Sequence, residues 1–150
     1  MGGTAFNVLG GQRPFAASGS LGGRIIDCLA TPGHHQAAVT FYDRYTGILF
    51  TGDTIYPGRL YIFDWAAFVR SIDRLVNFCA QRPVTYLLGC HIEMRTTPGE
   101  DYPMGWTYQP DEVPLELTAY HLTEIQATLR AHDLQADRYV LPKMIITPVP

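Results

Sequence analysis

The stretch RIIDCLATPGHHQAAVTFYDRYTGILFTGD, residues 24–53, contains three short apolar segments separated by turn residues. The segments at 24–30, 37–43 and 48–51 are rich in β-branched and aromatic residues, which favour strands. RYTG at 44–47 ends in glycine and predicts a hairpin between the second and third segments. We therefore predict three consecutive strands joined by short turns.

An amphipathic helix and a fourth strand are predicted next. Asp64 is a suitable N-cap for a helix over 65–82, in which apolar residues recur with i, i+3, i+4, i+7 spacing. Pro83 ends that helix, because a proline disfavours the helical conformation of the residue before it. VTYLL at 84–88 then predicts the fourth strand.

The C-terminal third of the chain predicts a long loop, a helix and a strand. Residues 92–116 form a loop with four prolines, a length that is usually functional or packed over something. Thr118 is predicted to cap a second helix that extends to about His132. The last strand, within 138–150, is interrupted by Pro142, which is typical of a sheet edge.

The predicted strands are apolar on both of their alternating faces. RIIDCLA, ILFT and VTYLL contain few polar residues apart from Asp27 and some hydroxyls. Strands of this kind belong to sheets that are covered on both sides. The two predicted helices are enough to cover about one face of such a sheet. The prediction is thus an α/β fold with one mixed sheet, two main helices on one face, and a second face that needs another cover.

Composition and charge exclude several classes of protein. With 150 residues, 47% of them hydrophobic, the chain is predicted to be a single domain over 1–150. The net charge is −3 and Lys143 is the only lysine, which argues against nucleic-acid binding. No apolar run is long enough to span a membrane, and the first residues do not resemble a signal peptide. Three cysteines without a CxxC motif favour a reducing compartment, so we expect a cytoplasmic protein.

Three short motifs share one layout: a strand, an abrupt glycine turn, and a residue able to bind metal. They are TPGHH with His34, FTGD with Asp53, and LLGCH with His91. Residues that follow strand ends converge on one rim of a sheet, so these three side chains can meet in space. Two imidazoles and a carboxylate are a suitable zinc-binding set, and catalytic zinc commonly takes three protein ligands.

These motifs resemble those of a known family, the metallo-β-lactamase-fold hydrolases. TPGHHQAAV at 31–39, FTGDTIYPG at 50–58 and LLGCHIEM at 87–94 match the family's later ligand motifs in order, spacing and wording. The resemblance covers about residues 22–117. It implies an αββα sandwich and a hydrolase that activates water on zinc to cleave an ester, amide, thioester or phosphoester bond.

The resemblance also implies roles for the three residues. His34 would bind one metal ion, His91 the other, and Asp53 would bridge them. Zinc is the implied metal, as one or two ions, and iron or manganese also accept such ligands. The family's first motif, His-x-His-x-Asp-His, carries four of the seven usual ligands and does not occur in this chain. The chain therefore resembles only the C-terminal half of the sandwich, and we expect little or no activity from it alone.

Four neighbours of the candidate ligands have two open interpretations each. His35 is a supporting residue of the site or a solvent-facing residue of a tight turn. Tyr56 contacts a substrate or packs within its loop, and Cys90 binds metal as a thiolate or is simply buried. Glu93 supports the site or lies on the surface.

Three hypotheses about partners and function remain open at this stage. In the first, the chain is part of a metallo-hydrolase that is completed by a separate N-terminal half and acts on a small-molecule substrate. In the second, it forms a homodimer that covers the bare sheet face, because a large apolar patch is unusual on a soluble monomer. In the third, it is a non-catalytic binding module that retains remnant metal ligands.

Overall fold

Nine strands and two helices make up the part of the chain that the computed structural model describes, residues 7–8 and 16–150. The strands are β1 (Asn7–Val8), β2 (Ala16–Leu21), β3 (Arg24–Ala30), β4 (Val39–Asp43), β5 (Ile48–Gly52), β6 (Arg59–Ile62), β7 (Tyr86–Gly89), β8 (Tyr139–Leu141) and β9 (Met144–Pro148). The helices are α1 (Trp65–Ala80) and α2 (Ala119–Ala131).

The strands divide between two mixed sheets. A six-stranded sheet has the order β1-β2-β3-β4-β5-β7, and a three-stranded sheet has the order β6-β9-β8. In each sheet one pair is parallel, β5 with β7 and β6 with β9, and the other pairs are antiparallel. The predicted α/β class is confirmed. The single predicted sheet becomes two because the C-terminal strands pair with β6 instead of joining the larger sheet.

The C-terminal segment forms two strands rather than one interrupted strand. Pro142 lies in the turn between β8 and β9, where the lack of a backbone N–H costs no ladder hydrogen bond. Its carbonyl accepts a hydrogen bond from the Gly99 N–H at 3.0 Å, which ties the long loop to this turn. The predicted edge position is retained, since β8 is the outer strand of its sheet.

The first helix begins as its sequence predicts. The Asp64 carboxylate caps α1 by accepting a hydrogen bond from the Ala67 N–H at 2.8 Å. Phe68, Ile72 and Leu75 form its buried face. Among the described residues, neither helix combines the length and apolar character needed to cross a bilayer.

Two strands were not predicted from the sequence. The segment AASGSL of β2 consists of small residues with low strand propensity, yet it pairs with β3 in continuous register from Ala16↔Leu29 to Leu21↔Arg24. The four residues of β6 are too few to show a clear alternation. The sequence from Phe6 to Leu9 also predicts a short strand; β1 covers its two middle residues, and Phe6 and Leu9 lie outside the described part.

One core occupies the space between the helices and the two sheets. Its buried residues include Leu29, Tyr42, Leu49 and Leu87 from the larger sheet, Phe68, Ile72, Leu75, Leu122, Ile125 and Leu129 from the helices, and Leu60, Ile62, Leu141, Met144 and Ile146 from the smaller sheet. Both helices therefore cover the same face of the larger sheet, as predicted.

The opposite face of the larger sheet is apolar and open. Strand register places Cys28, Phe41, Phe50 and Leu88 in one row across four strands. Phe41 is 43% exposed and Phe50 is 44% exposed, so the described part of the chain leaves much of this row uncovered. We call this surface the open sheet face. It corresponds to the second face for which the sequence predicts a separate cover.

A capping interaction in α2 generates a prediction about pH. The Nδ1 atom of His121 accepts a hydrogen bond from the Thr118 N–H at 3.0 Å, which requires an unprotonated Nδ1. Burial lowers the pKa of His121, and the positive charge of Lys143 lowers it further. The folded chain then binds fewer protons than the unfolded chain, so stability falls as the pH falls below about 6.5, the ordinary histidine value.

We expect His121→Gln to flatten the dependence of Tm on pH in this range, because glutamine keeps the capping acceptor and does not titrate. The effect is bounded by the value of a cap, about 1 kcal/mol. His132→Gln, an exposed histidine at the end of the same helix, is the control. Parallel Tm profiles for the wild type and His121→Gln between neutral and mildly acidic pH would contradict the prediction.

Candidate metal centre

Three strand ends meet at one rim of the larger sheet. His34 follows β3, Asp53 follows β5, and His91 follows β7. The parallel pairing of β5 with β7 places Asp53 and His91 at the same end, and two antiparallel steps from β5 bring the end of β3 there as well. The structure therefore brings together the three residues that the sequence singled out.

The Asp53 carboxylate lies between the two imidazoles. Its Oδ1 is 3.0 Å from His91 Nε2, and its Oδ2 is 4.0 Å from His34 Nε2. The shorter contact has the distance of an ion pair but not the geometry of a hydrogen bond, because Oδ1 is buried and has no hydrogen-bond partner. Oδ1 thus contacts an imidazole nitrogen without accepting a hydrogen bond, which leaves its lone pairs available to another ligand.

The orientation of His34 is set by the backbone. Its Nδ1 is 2.8 Å from the Tyr61 carbonyl oxygen, which can only accept. Nδ1 therefore donates to this carbonyl and Nε2 is the ring nitrogen that faces Asp53, which is the usual arrangement of a metal-binding histidine. The ring also contacts the edge of the Phe63 ring, with centroids 5.8 Å apart.

His91 is supported by a neighbouring aromatic ring instead. It packs edge-to-face against Tyr56 with centroids 5.1 Å apart, and its side chain is about half exposed. The Tyr56 hydroxyl donates a hydrogen bond to the Arg59 carbonyl. Burial raises the pKa of Tyr56, and the charges of Glu93 and Asp53 raise it further. The phenol therefore keeps its proton and acts here as a donor and a packing surface.

The four candidate supporting residues divide into two groups. Tyr56 is buried against His91, and Glu93 is half-buried and paired with Arg59. His35 and Cys90 are exposed. The Nδ1 of His35 accepts a hydrogen bond from the Ala37 N–H within its own turn, so its contact is local to that turn.

The three side chains supply some of the donors that a metal site needs, but not a complete set for one ion. Within residues 7–8 and 16–150, no three histidine, cysteine, aspartate or glutamate side chains are grouped so as to hold one metal ion. Asp53 instead forms a separate donor pair with each histidine. Asp53 Oδ1, which accepts no hydrogen bond, and His34 Nε2 fit a metal, while each pair needs further donors.

Buried hydroxyls beneath the site were missed by the sequence analysis. The Thr31 hydroxyl is 3.1 Å from that of Thr40 and 3.2 Å from that of Thr54, so hydrogen bonds join the segments that carry His34 and Asp53. All three threonines are buried. The sequence signal that could have identified them is a threonine beside a candidate ligand, Thr31 in TPGH and Thr54 in GDT.

Comparison with known proteins identifies a family. Residues 8–141 match the family model described as the metallo-beta-lactamase superfamily. A curated relative, the acyl-coenzyme A thioesterase MBLAC2 of Gallus gallus, is 32% identical over 81 residues, which are 50% of this chain and 28% of that protein. The chain therefore spans less than a third of the length of this relative.

Three solved structures are similar to this chain over part of their own length. A metallo-beta-lactamase superfamily protein from Sulfolobus tokodaii is 14% identical with a TM-score of 0.48, covering 79% of this chain and 39% of that one. A metallo-beta-lactamase family protein from Thermus thermophilus is 18% identical with a TM-score of 0.45, covering 82% and 38%. A double mutant of the sec-alkyl sulfatase PisA1 is 14% identical with a TM-score of 0.51, covering 82% of this chain and 19% of that one. This last likeness concerns the fold alone.

The turn that carries His34 generates the next prediction. Gly33 has a φ of +153°, and a Cβ there would lie 2.8 Å from the Phe68 Cβ on α1. We expect Gly33→Ala to lower the free energy of unfolding by about 3 kcal/mol, combining backbone strain with a clash against a helix that cannot yield.

Gly105→Ala is the matched control. Gly105 also has a positive φ, +78°, but nothing lies within 4 Å of its Cβ position. Its substitution should cost only about 1 kcal/mol, the strain of the backbone. Urea denaturation of both variants measures the difference, and equal losses would show that the contact with α1 does not matter.

Proposed function

Because this chain belongs to the metallo-beta-lactamase superfamily, we propose that it forms the part of a metal-dependent hydrolase that carries His34, Asp53 and His91. The observation that supports the proposal best is the Asp53 carboxylate, which lies between two imidazole nitrogens with one buried oxygen that accepts no hydrogen bond. In this proposal His34 and His91 bind metal, and Asp53 bridges.

Zinc suits this donor set best, and iron or manganese are the alternatives. When bound, the metal supplies a Lewis acid that activates water for attack on an ester-type bond. The chain's own residues hold the donors in place. The Tyr61 carbonyl presents Nε2 of His34, and the Tyr56 ring supports His91.

Thioesters are the first substrate class to test. The similarity to an acyl-coenzyme A thioesterase supports this choice, although it covers only half of the chain. Esters and lactams are the next substrate classes to test, because the chain belongs to the metallo-beta-lactamase superfamily. The cytoplasmic location stays a prediction, and it is supported by three free thiols at Cys28, Cys79 and Cys90.

We propose that the remaining donors belong to the N-terminal half of the family fold, contributed by another polypeptide segment that packs on the open sheet face. Two observations support this. The donor pairs on Asp53 are incomplete within the described residues, and the row containing Phe41 and Phe50 is exposed beside them on the same sheet.

The alternative is a self-associating half-domain or binding module without catalytic activity. The open sheet face favours it, because exposed aromatic residues in a continuous row mark surfaces that bind another protein. A second copy of the chain would then cover the face in an isologous contact.

The metal proposal predicts a shared site. Zinc affinity should fall by at least about tenfold in His34→Ala and, separately, in His91→Ala, because each removes one donor. His132→Ala, at the exposed end of α2, should bind like the wild type. Equilibrium dialysis followed by elemental analysis measures zinc per chain, and full retention of zinc in both variants would refute a site built on these residues.

The self-association alternative predicts a concentration-dependent dimer. In sedimentation at micromolar concentration, Phe50→Glu should shift the wild-type dimer to monomer, because a carboxylate cannot be buried without a partner. Tyr45→Glu, at a residue that is 84% exposed outside the row, should leave the dimer intact. A wild-type chain that is monomeric throughout would exclude the second copy and leave the N-terminal half as the proposed cover.

A further inference from the structure

We propose that Arg59 and Glu93 form a clamp that positions the His91 ring, and that this clamp controls metal affinity on the His91 side of Asp53. The metal-affinity part of the inference rests on the proposed function, whereas the positioning part concerns the metal-free chain. Arg59 was not identified from the sequence, where it stands in the segment YPGRL at 56–60.

Both carboxylate oxygens of Glu93 are bound to Arg59. Oε2 accepts a hydrogen bond from the Arg59 backbone N–H at 2.7 Å, and Oε1 accepts one from its guanidinium at 2.9 Å. The Arg59 side chain is 14% exposed, and its guanidinium also donates to the Asp101 carboxylate at 2.8 Å. Charge-assisted bonds of this kind hold their partners in a narrow geometry.

The backbone around Glu93 is attached to the same loop. The N–H groups of Glu93 and Met94 both donate to the Pro57 carbonyl, at 2.8 and 3.3 Å. On the other side of His91, the Cys90 N–H donates to the Gly52 carbonyl at 3.2 Å. The short segment that carries His91 is therefore attached at one end next to Asp53 and at the other end through the clamp.

Tyr56 connects the clamp to the imidazole itself. Its hydroxyl donates to the Arg59 carbonyl, and its ring packs edge-to-face on His91. Movement of Arg59 would therefore be passed to the ring that supports His91. Tight packing leaves Tyr56 little freedom, because a Cβ at Gly58 or Gly89 would collide with it.

His34 does not depend on this clamp. It is oriented by the Tyr61 carbonyl and contacts Phe63. A merely structural role of the ion pair would disturb both histidines together when the pair is lost. A positioning role instead predicts an asymmetric response, in which His91 changes and His34 does not.

The test compares two substitutions that each remove one negative charge next to Arg59. Glu93→Gln weakens the clamp, while Asp101→Asn alters the other carboxylate partner and leaves Glu93 in place. Imidazole resonances of the metal-free chain are recorded by NMR at about pH 8, where an ordinary histidine is neutral, and assigned with His34→Gln and His91→Gln. We expect Glu93→Gln to shift and broaden the His91 signals and to leave those of His34 unchanged, with Asp101→Asn, which keeps Glu93 in place, producing a smaller change at His91 and none at His34.

Glu93→Ala removes both acceptors and should produce a larger change at His91, which Glu93→Gln partly restores. If Glu93→Ala does not fold, the comparison of Glu93→Gln with Asp101→Asn decides the question alone. Unchanged His91 signals in Glu93→Gln would overturn the proposal, and so would equal changes at His34 and His91.

Metal affinity provides the second measurement. Titration with zinc should show affinity reduced by about tenfold in Glu93→Ala, less in Glu93→Gln, and least in Asp101→Asn, in line with the usual effect of losing a group that orients a ligand. If the wild-type chain alone binds no zinc, metal binding requires the donors that we propose come from another segment, and the NMR comparison still decides whether the clamp positions His91. Unaltered zinc affinity in Glu93→Ala would overturn the link between clamp and metal.

Discussion

The parallel pairing of β5 with β7 is the constraint on which the rest of this structure depends. Parallel neighbours cannot be joined by a tight turn, so the chain must cross over, and α1 lies in that connection. The crossover places one helix on one face of the larger sheet and brings Asp53 and His91 to the same rim. The turn at Gly33 then packs directly on α1 and places His34 beside them. One pairing thus determines the helical layer, the bare layer and the candidate site.

The open sheet face and the incomplete donor set have the same cause, which is that the described residues cover the larger sheet on one face only. The described helices cover one face only, and the described residues approach Asp53 as two separate donor pairs. A polypeptide seated on the open sheet face would lie on the sheet whose rim carries these donors. The same exposed row that makes this face suited to a partner, Phe41 and Phe50 above all, also makes it prone to self-association.

The two histidines are held by different kinds of support. A backbone carbonyl orients His34, so its position depends mainly on the fold. Side chains orient His91, through the Tyr56 ring and the ion pair of Arg59 with Glu93. Side-chain support can be changed by a single substitution without altering the fold. In the proposed site, the His91 side is therefore the one on which a single substitution most readily changes the position of a donor.

The sequence by itself determined the α/β class, the strand at 24–30, the helix capped by Asp64, and the three residues that meet at the rim. Each of these depends on local patterning or on residues that directly follow strand ends. Tertiary structure alone decided that β2 is a strand, that β6 and the C-terminal hairpin form a second sheet, and that Arg59 forms an ion pair with Glu93 near His91. The physical reason is that low-propensity or very short segments become strands through pairing with distant partners, and ion pairs between distant residues leave no periodic signal in the chain.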